Sequence, residues 1–318
     1  MAQLDKGAVV ARPFPRRLGD LVVYGALRSL WALLRLASLE TARGFLEAVA
    51  GLVARLDVRH RRVVSDNLHI AFPGIDGVVH DSVVAASFRN WGRLTAEVIH
   101  AGELLEAKPE PEWRTLAKAV ANARGAGRGL LVLTAHTGNF ELLARAFGER
   151  VAPLAVFHRA LGIPEVDAFL TRERERSRVT TLGRGVAVRE TMRILAAGGC
   201  VAVPLDQNQR PGHGIFVDVL GRPACTSTVL ARLSLVTGAP VLPVFAIWRG
   251  EGTVPLVHDP ILPPEPRPRA GEREAVLRDL TARYSAEIDR VVRRHPHQWN
   301  WAHRRWKTRP AGEAGAPE

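Results

Sequence analysis

The apolar positions of this chain follow a helical period up to about residue 105, and a strand–helix alternation from residue 129 onward. Residues 18–39, "LGDLVVYGALRSLWALLRLASL", predict the first long helix. Arg28 and Arg35 interrupt it, seven apart and so about 20° from each other on a helical wheel, as one narrow polar stripe. Residues 40–58 continue at helical spacing, and "VRHRRVVSDNLHIAFPG" closes at a Pro-Gly stop. An amphipathic helix is expected over 80–105, with Phe88, Trp91, Leu94 and Val98 on one side. Then "GLLVLTAH", "APLAVFHR", "RVTTLG", "CVAVPLD", "APVLPVFAIWR" and "VPLVHDPI" read as strands. Helical stretches separate most of them, including "PEVDAFLTRERERS", "AVRETMRILAAGG" and "STVLARLSLVTG". A proline-rich loop at 263–271 precedes a last helix over about 272–294.

This order predicts an α/β fold, a mainly parallel sheet flanked by helices, with an N-terminal helical region leaning on it. The expected organisation is a basic flexible arm over 1–17, a membrane-associating helical region over 18–62, an α/β domain over 63–310 and a flexible tail over 311–318.

Charge sharpens the picture of partners. The formal net charge is +12, most of it arginine, which favours anionic partners: nucleic acid, acidic lipid headgroups or an acidic carrier protein. The stretch at 18–39 is long enough to span a bilayer, but arginine is costly deep in a span. An interfacial helix with its arginine stripe at the headgroups fits this pattern, as does an amphipathic helix packed on a soluble core. Flanking arginines on both sides give no orientation. The two cysteines, Cys200 and Cys225, form no CxxC pair and suit a reducing compartment.

Chemistry concentrates in "LLVLTAHTGNFELLARAF" at 130–147. An apolar run ends at His136, and helical spacing resumes at Phe140, with Thr137 and Asn139 both suited to cap the helix. His136 therefore leaves the carboxyl end of a strand, where open parallel sheets build their sites. Glu141 lies in the first turn of the following helix. In one straight helix these two side chains would point about 140° apart, so only a strand–turn–helix break lets them converge. Two readings stand: a histidine base supported by a carboxylate, or a capping histidine beside a glutamate that suits the helix dipole.

Other chemistries find no matching motif. A G-x-S-x-G elbow and a G-x-x-x-x-G-K-[ST] loop are absent. His295, His297 and His303 cluster without the spacing of a metal site, so no metal is expected. Trp299, Trp301 and Trp306 interleave with arginines, a pattern that suits a membrane interface and matches no nucleic-acid module.

H-x-x-x-x-(D/E) at a strand-to-helix turn resembles the glycerolipid and lysophospholipid acyltransferase superfamily, and within it the bacterial lipid A late acyltransferases. The resemblance covers roughly residues 20–310 and rests on blocks in the family's order: "RRVVSDNLHIAFPG", "HTGNFE", "FHRALGIPEVDAFLTRERER", "PLDQNQRPGHGIFVDVLGRPACTSTVLARLSLVTGAPVLPVF" and "HPHQWNWAHRRWKTRP". It implies acyl transfer from a thioester, on acyl carrier protein or coenzyme A, to a hydroxyl of a membrane glycolipid, with no further cofactor. It also implies a place at the cytoplasmic face of a bacterial inner membrane. His136 and Glu141 match the catalytic motif. Arg159 matches an arginine usually followed by proline, here "FHRA", and Arg174 a later basic position; both are expected on the acceptor's phosphates or the oxyanion. Asp206 of "LDQNQ" matches an acidic residue expected to organise those arginines. "GRPACTST" is expected to form an active-site loop bringing Gly221 and Arg222 to the acceptor, or else an ordinary turn and helix cap. The rival readings are another lipid acceptor, such as a lysophospholipid, an ornithine-type lipid or a mannosylated phosphoinositide, and a non-catalytic basic protein binding membranes or nucleic acid.

Overall fold

The computed structural model describes residues 14–310 and 312, apart from 108–110, 125, 126, 128, 159, 161, 184–186, 251, 265–267 and 311. The arm expected over 1–17 lies outside them up to residue 13, as does nearly all of the expected tail. Its last four residues open a helix instead.

The N-terminal layer is α1 (Phe14–Leu36), α2 (Leu39–Leu56), α3 (Val58–Ala71), α4 (Gly77–Ile99) and the short α5 (Ala101–Glu106). Side-chain oxygens stop and restart the chain here. Ser38 accepts from the Thr41 N–H at 3.2 Å, Asp57 from His60 at 3.0 Å and Asp76 from Val78 at 2.9 Å, each satisfying an orphan donor of a first turn. The helix expected over 80–105 breaks at His100, which caps no first-turn N–H with its side chain and whose Nε2 meets the Leu34 carbonyl at 3.1 Å. The boundary expected at 62/63 falls inside α3. Helix α2 packs on α4 at Gly92, where an added Cβ would run into the Leu46 backbone. Leu34, Ala42, Leu46, Ala96 and Ile99 close that contact. Trp91, expected on the buried side, is exposed.

After α6 (Pro111–Ala123) come β1 (Leu130–Thr134), α7 (Phe140–Arg150), β2 (Leu154–Phe157), α8 (Pro164–Arg176), β3 (Val179–Leu182), α9 (Ala187–Ala196) and β4 (Cys200–Pro204). The chain continues through β5 (Ile215–Val219), β6 (Arg222–Thr226), α10 (Val229–Thr237), β7 (Val241–Arg249), β8 (Gly252–Val257) and α11 (Arg273–Arg294). The main sheet runs β3-β2-β4-β1-β7-β8, parallel except for the β7–β8 pair. Alternation along β1 explains why helices cover both faces. Leu130 and Val132 pack with Trp113 and Leu116 of α6 and Phe147 of α7, whereas Leu131 and Leu133 join Leu230 of α10 and Tyr284 and Ile288 of α11.

Two expectations change. "GRPACTST" opens with strand β6, which pairs antiparallel with β5 through a turn at Leu220 and Gly221, both at positive φ (55° and 88°). Such a two-residue turn matches the twist of a hairpin. The C-terminal tryptophans do not face a membrane: Trp299, Trp301 and Trp306 are buried in the sheet's core, edge to face with one another.

Candidate active site

Strand register brings the central pair together. Strands β1 and β4 are neighbours, and Thr134 pairs with Pro204 at their carboxyl ends. His136 and Asp206 each lie two residues beyond that pair, so they leave the sheet side by side. The Asp206 carboxylate accepts from the His136 backbone N–H at 2.8 Å (Oδ2), and its Oδ1 meets the ring Nδ1 at 2.8 Å. The indole Nε1 of Trp299 donates to Oδ2 at 2.9 Å. Burial works against charge on both groups, but their mutual attraction outweighs it. The histidine pKa is raised above its ordinary value, and the carboxylate is held well below the usual range by His136 and the Trp299 bond. With Asp206 ionised, the proton sits on Nδ1 and Nε2 keeps its lone pair as an acceptor. Nε2 points toward the exposed Gln207, 3.5 Å away, and the ring meets Phe140 edge-on at 4.8 Å.

The turn after His136 is set by glycine. Gly138 holds φ +48°, and an added Cβ there would strike the Ala246 carbonyl oxygen of β7. The C-terminal segment clamps the same turn: Gly138 N–H donates to Gln298 O at 2.9 Å, and Asn300 N–H to His136 O at 3.0 Å. Asn139, not Thr137, caps α7 through the Leu142 N–H at 2.9 Å. Its Nδ2 donates to Glu97 at 2.9 Å, a fully buried carboxylate that also accepts from Thr253 at 2.7 Å. Burial raises the Glu97 pKa despite these bonds.

Glu141 has a different partner from the one expected. Its two oxygens accept from Arg174 Nε at 2.8 Å and Nη2 at 2.7 Å, a bidentate fork. Arg174 Nη1 also lies 3.0 Å from His158 Nδ1. Both side chains of the pair are 13% exposed, so Arg174 is not part of a solvated "RERERS" face. Burial disfavours its charge, and Glu141 more than restores it, raising the arginine pKa. The imidazole Nδ1 of His136 therefore pairs with Asp206, and the Glu141 carboxylate with Arg174. Asp206, expected to organise arginines, holds the imidazole instead.

Arg159 lies outside the described residues. Gly221 and Arg222 sit at the β5–β6 turn, where the neighbouring Leu220 N–H donates to Asp289 of α11 at 2.6 Å. From there β6 runs four steps, about 13 Å at strand rise, to Thr226, where buried Arg305 bonds Cys225 O and Thr226 Oγ1. Neither Gly221 nor Arg222 bonds His136 or Asp206 among the described residues. Of the C-terminal histidines, His303 accepts the Asn208 N–H at 2.8 Å and His297 lies 3.3 Å from Gln298. Gln207 and His158 are site residues that sequence reasoning did not single out, and Trp299 was singled out only for a membrane interface. All three lie in or beside blocks that carry the resemblance, which was the signal available.

In helix α1, Arg28 stacks over Phe169 of α8 at 4.5 Å, and Trp31 meets the same ring edge-on at 5.0 Å, so this arginine packs against α8, as the packed-helix reading expects. Among the described residues no helix is long and apolar enough to cross a membrane.

The model of the bacterial lipid A biosynthesis acyltransferase family matches residues 16–308. The lipid A biosynthesis lauroyltransferase of Escherichia coli (strain K12) is 26% identical over 265 residues, 82% of this chain and 83% of the relative. The palmitoleoyltransferase of the same organism is 26% identical over 276 residues, 85% and 86% of the two chains, and its myristoyltransferase 23% identical over 262 residues, 81% and 79%. With nearly its whole length matched, the chain belongs to the bacterial lipid A biosynthesis acyltransferase family and is an acyltransferase.

Proposed function

We propose that this enzyme moves a fatty acyl group from a thioester, on acyl carrier protein or coenzyme A, to a hydroxyl of a lipid A precursor. The observation that carries the chemistry is the His136–Asp206 pair at the carboxyl ends of neighbouring parallel strands. Asp206 keeps the proton on Nδ1, and Nε2 takes the proton of the acceptor hydroxyl. The oxygen attacks the thioester carbonyl and forms the new C–O bond. The tetrahedral intermediate collapses, the C–S bond breaks, and the imidazolium returns its proton to the thiolate. Asp206 stabilises the imidazolium between these steps.

The backbone N–H groups of His136 and Gly138 are taken up by Asp206 and Gln298. We assign charge on the oxyanion or on acceptor phosphate to side-chain cations. Arg174, aimed by Glu141, is one, and Arg159 is the second by its place in the family motif. Helix α2 carries exposed Phe45, Val49, Leu52, Val53 and Leu56 along one stripe, and α1 exposes Leu18, Leu21, Leu30 and Leu33. These faces support interfacial docking at the cytoplasmic side of the bacterial inner membrane, where acceptor and acyl chains meet.

The test is mass spectrometry of products from the purified full chain, given mixed acyl donors and a lipid A precursor, a lysophospholipid and an ornithine-type lipid in parallel. The expected product is the precursor heavier by one fatty acyl group. Acylation of a different acceptor with the precursor untouched refutes the assignment.

A further inference from the structure

A groove distant from the catalytic pair in sequence lies between α3 and the C-terminal segment. Arg59, Arg62 and Asp66 line one wall from a single face of α3, at i, i+3 and i+7, and Arg304 and Lys307 line the other. Four cations thus face one carboxylate around a space of about 630 Å³. The walls are tied together. Buried Asn67 donates from Nδ2 to the carbonyls of Trp301 at 2.7 Å and His303 at 2.8 Å, and the Lys307 N–H closes a turn on Arg304 O at 3.3 Å. Asp57, the nearby acid at the start of α3, caps that helix and bonds His60 at 2.6 Å. Like charges gathered on a fixed frame repel one another, and an anion relieves that repulsion.

The rim identifies the anion. Val58 lines the groove and is 71% exposed, and Leu56 just before it is 72% exposed. Leu56 ends the exposed apolar stripe of α2 described above, and Val58 opens α3 two residues on. A basic concavity beside an unpartnered apolar stripe matches a lipid: phosphate in the groove, acyl chains along α2. The size agrees, since a space of about 630 Å³ is that of a small-ligand pocket. We infer that the α3–C-terminal groove seats the phosphate of an anionic phospholipid of the surrounding membrane, and so fixes how the enzyme lies on the bilayer. The inference rests on the membrane-surface part of the proposed function, not on its chemistry.

The experiment measures partitioning of the full-length protein onto phosphatidylcholine vesicles with and without one-third phosphatidylglycerol. Arg59→Ala, Arg62→Ala and Lys307→Ala are each expected to weaken binding to the anionic vesicles about fivefold, with binding to neutral vesicles unchanged. Arg61→Ala is the control, because Arg61 is exposed on the same helix but does not line the groove. Its loss is expected to stay below about twofold. Equal losses from Arg61→Ala and the groove variants would mean diffuse charge and overturn the site. Unchanged anionic-vesicle binding in the groove variants, with weakened binding of an acidic carrier protein, would assign the groove to a protein and overturn the lipid. Turnover in detergent-dispersed substrate reads separately: retained turnover with no groove effect rejects this inference alone, whereas lost turnover in wild type on every acceptor rejects the proposed function.

Discussion

Two carboxylates stand at this site, and they hold different kinds of partner. At the β1–β4 rim, Asp206 gathers donors from residues 70 and 93 positions away, and one of them is an imidazole that changes charge near neutral pH. At the α7–α8 junction, Glu141 grips Arg174, 33 positions away, whose charge is permanent and whose pKa is raised further. The contrast separates roles. Under the proposed function the rim moves a proton, and the helix junction holds an arginine in a fixed orientation.

The sharpest break is at the base itself. His136→Ala should lower kcat by about 100- to 10,000-fold while circular dichroism stays native. Near-normal turnover would remove His136 from the chemistry. Next comes its holder. Asp206→Asn keeps the shape, loses the charge and should cost about 100-fold or more by loss of tautomer control. The pH profile distinguishes this from a folding defect. In the wild type the rate rises with pH as the imidazole loses its proton, through a pKa above the ordinary 6.5. Without the Asp206 charge only burial acts on the ring, so that limb should move to lower pH even as the plateau falls. A limb that stays put would mean Asp206 does not set the imidazole.

Glu141→Gln should act more mildly and by another route. It breaks the fork to Arg174, a loss of about 1.5–3 kcal/mol for a charged hydrogen bond, or roughly ten- to a hundredfold in kcat/KM. The acidic limb of the profile should remain where it is in the wild type. Arg174→Lys, which keeps charge without the planar fork, should rescue Arg174→Ala only in part and should blunt the preference for a phosphorylated over a dephosphorylated acceptor. Should Glu141→Gln shift the limb as Asp206→Asn does, the division of labour between the carboxylates fails. The smallest effect is expected from Trp299→Phe, which keeps the ring but removes one donor from Asp206. A loss of about 1.5 kcal/mol in stability, read by denaturant titration, would agree. The limb should barely move.

Much of the sheet was legible because parallel strands buried on both faces read as unbroken apolar runs. "LLVLT", "CVAVP" and "VLPVFAIWR" are such runs, and they are β1, β4 and β7. The β5–β6 hairpin was not legible. Its turn is Leu220-Gly221 rather than Asn-Gly or Asp-Gly, and β6 begins with Arg222 and Pro223, which read as loop. Helix α6 is likewise not among the elements the pattern predicts. The arginine stripe of α1 was read correctly as a stripe, but its neighbour could not be, since Phe169 lies on a helix far along the chain.

By itself, then, the sequence determined what is local: the helical and strand periods, the placing of His136 at the end of a strand, the choice of helix cap down to Thr137 or Asn139, and the motif blocks that mark the family. Partner choice was decided only in three dimensions. Glu141 lies five residues from His136 and Asp206 lies seventy, yet the β1–β4 register carries Asp206 to the imidazole, while α8 brings Arg174 to Glu141. The same long-range packing turns the tryptophans at 299, 301 and 306 from an apparent surface motif into core, with one indole reaching back to the site. A carboxylate finds the donor that backbone geometry presents to it, and that geometry is set by strand pairing and helix docking, not by spacing along the chain.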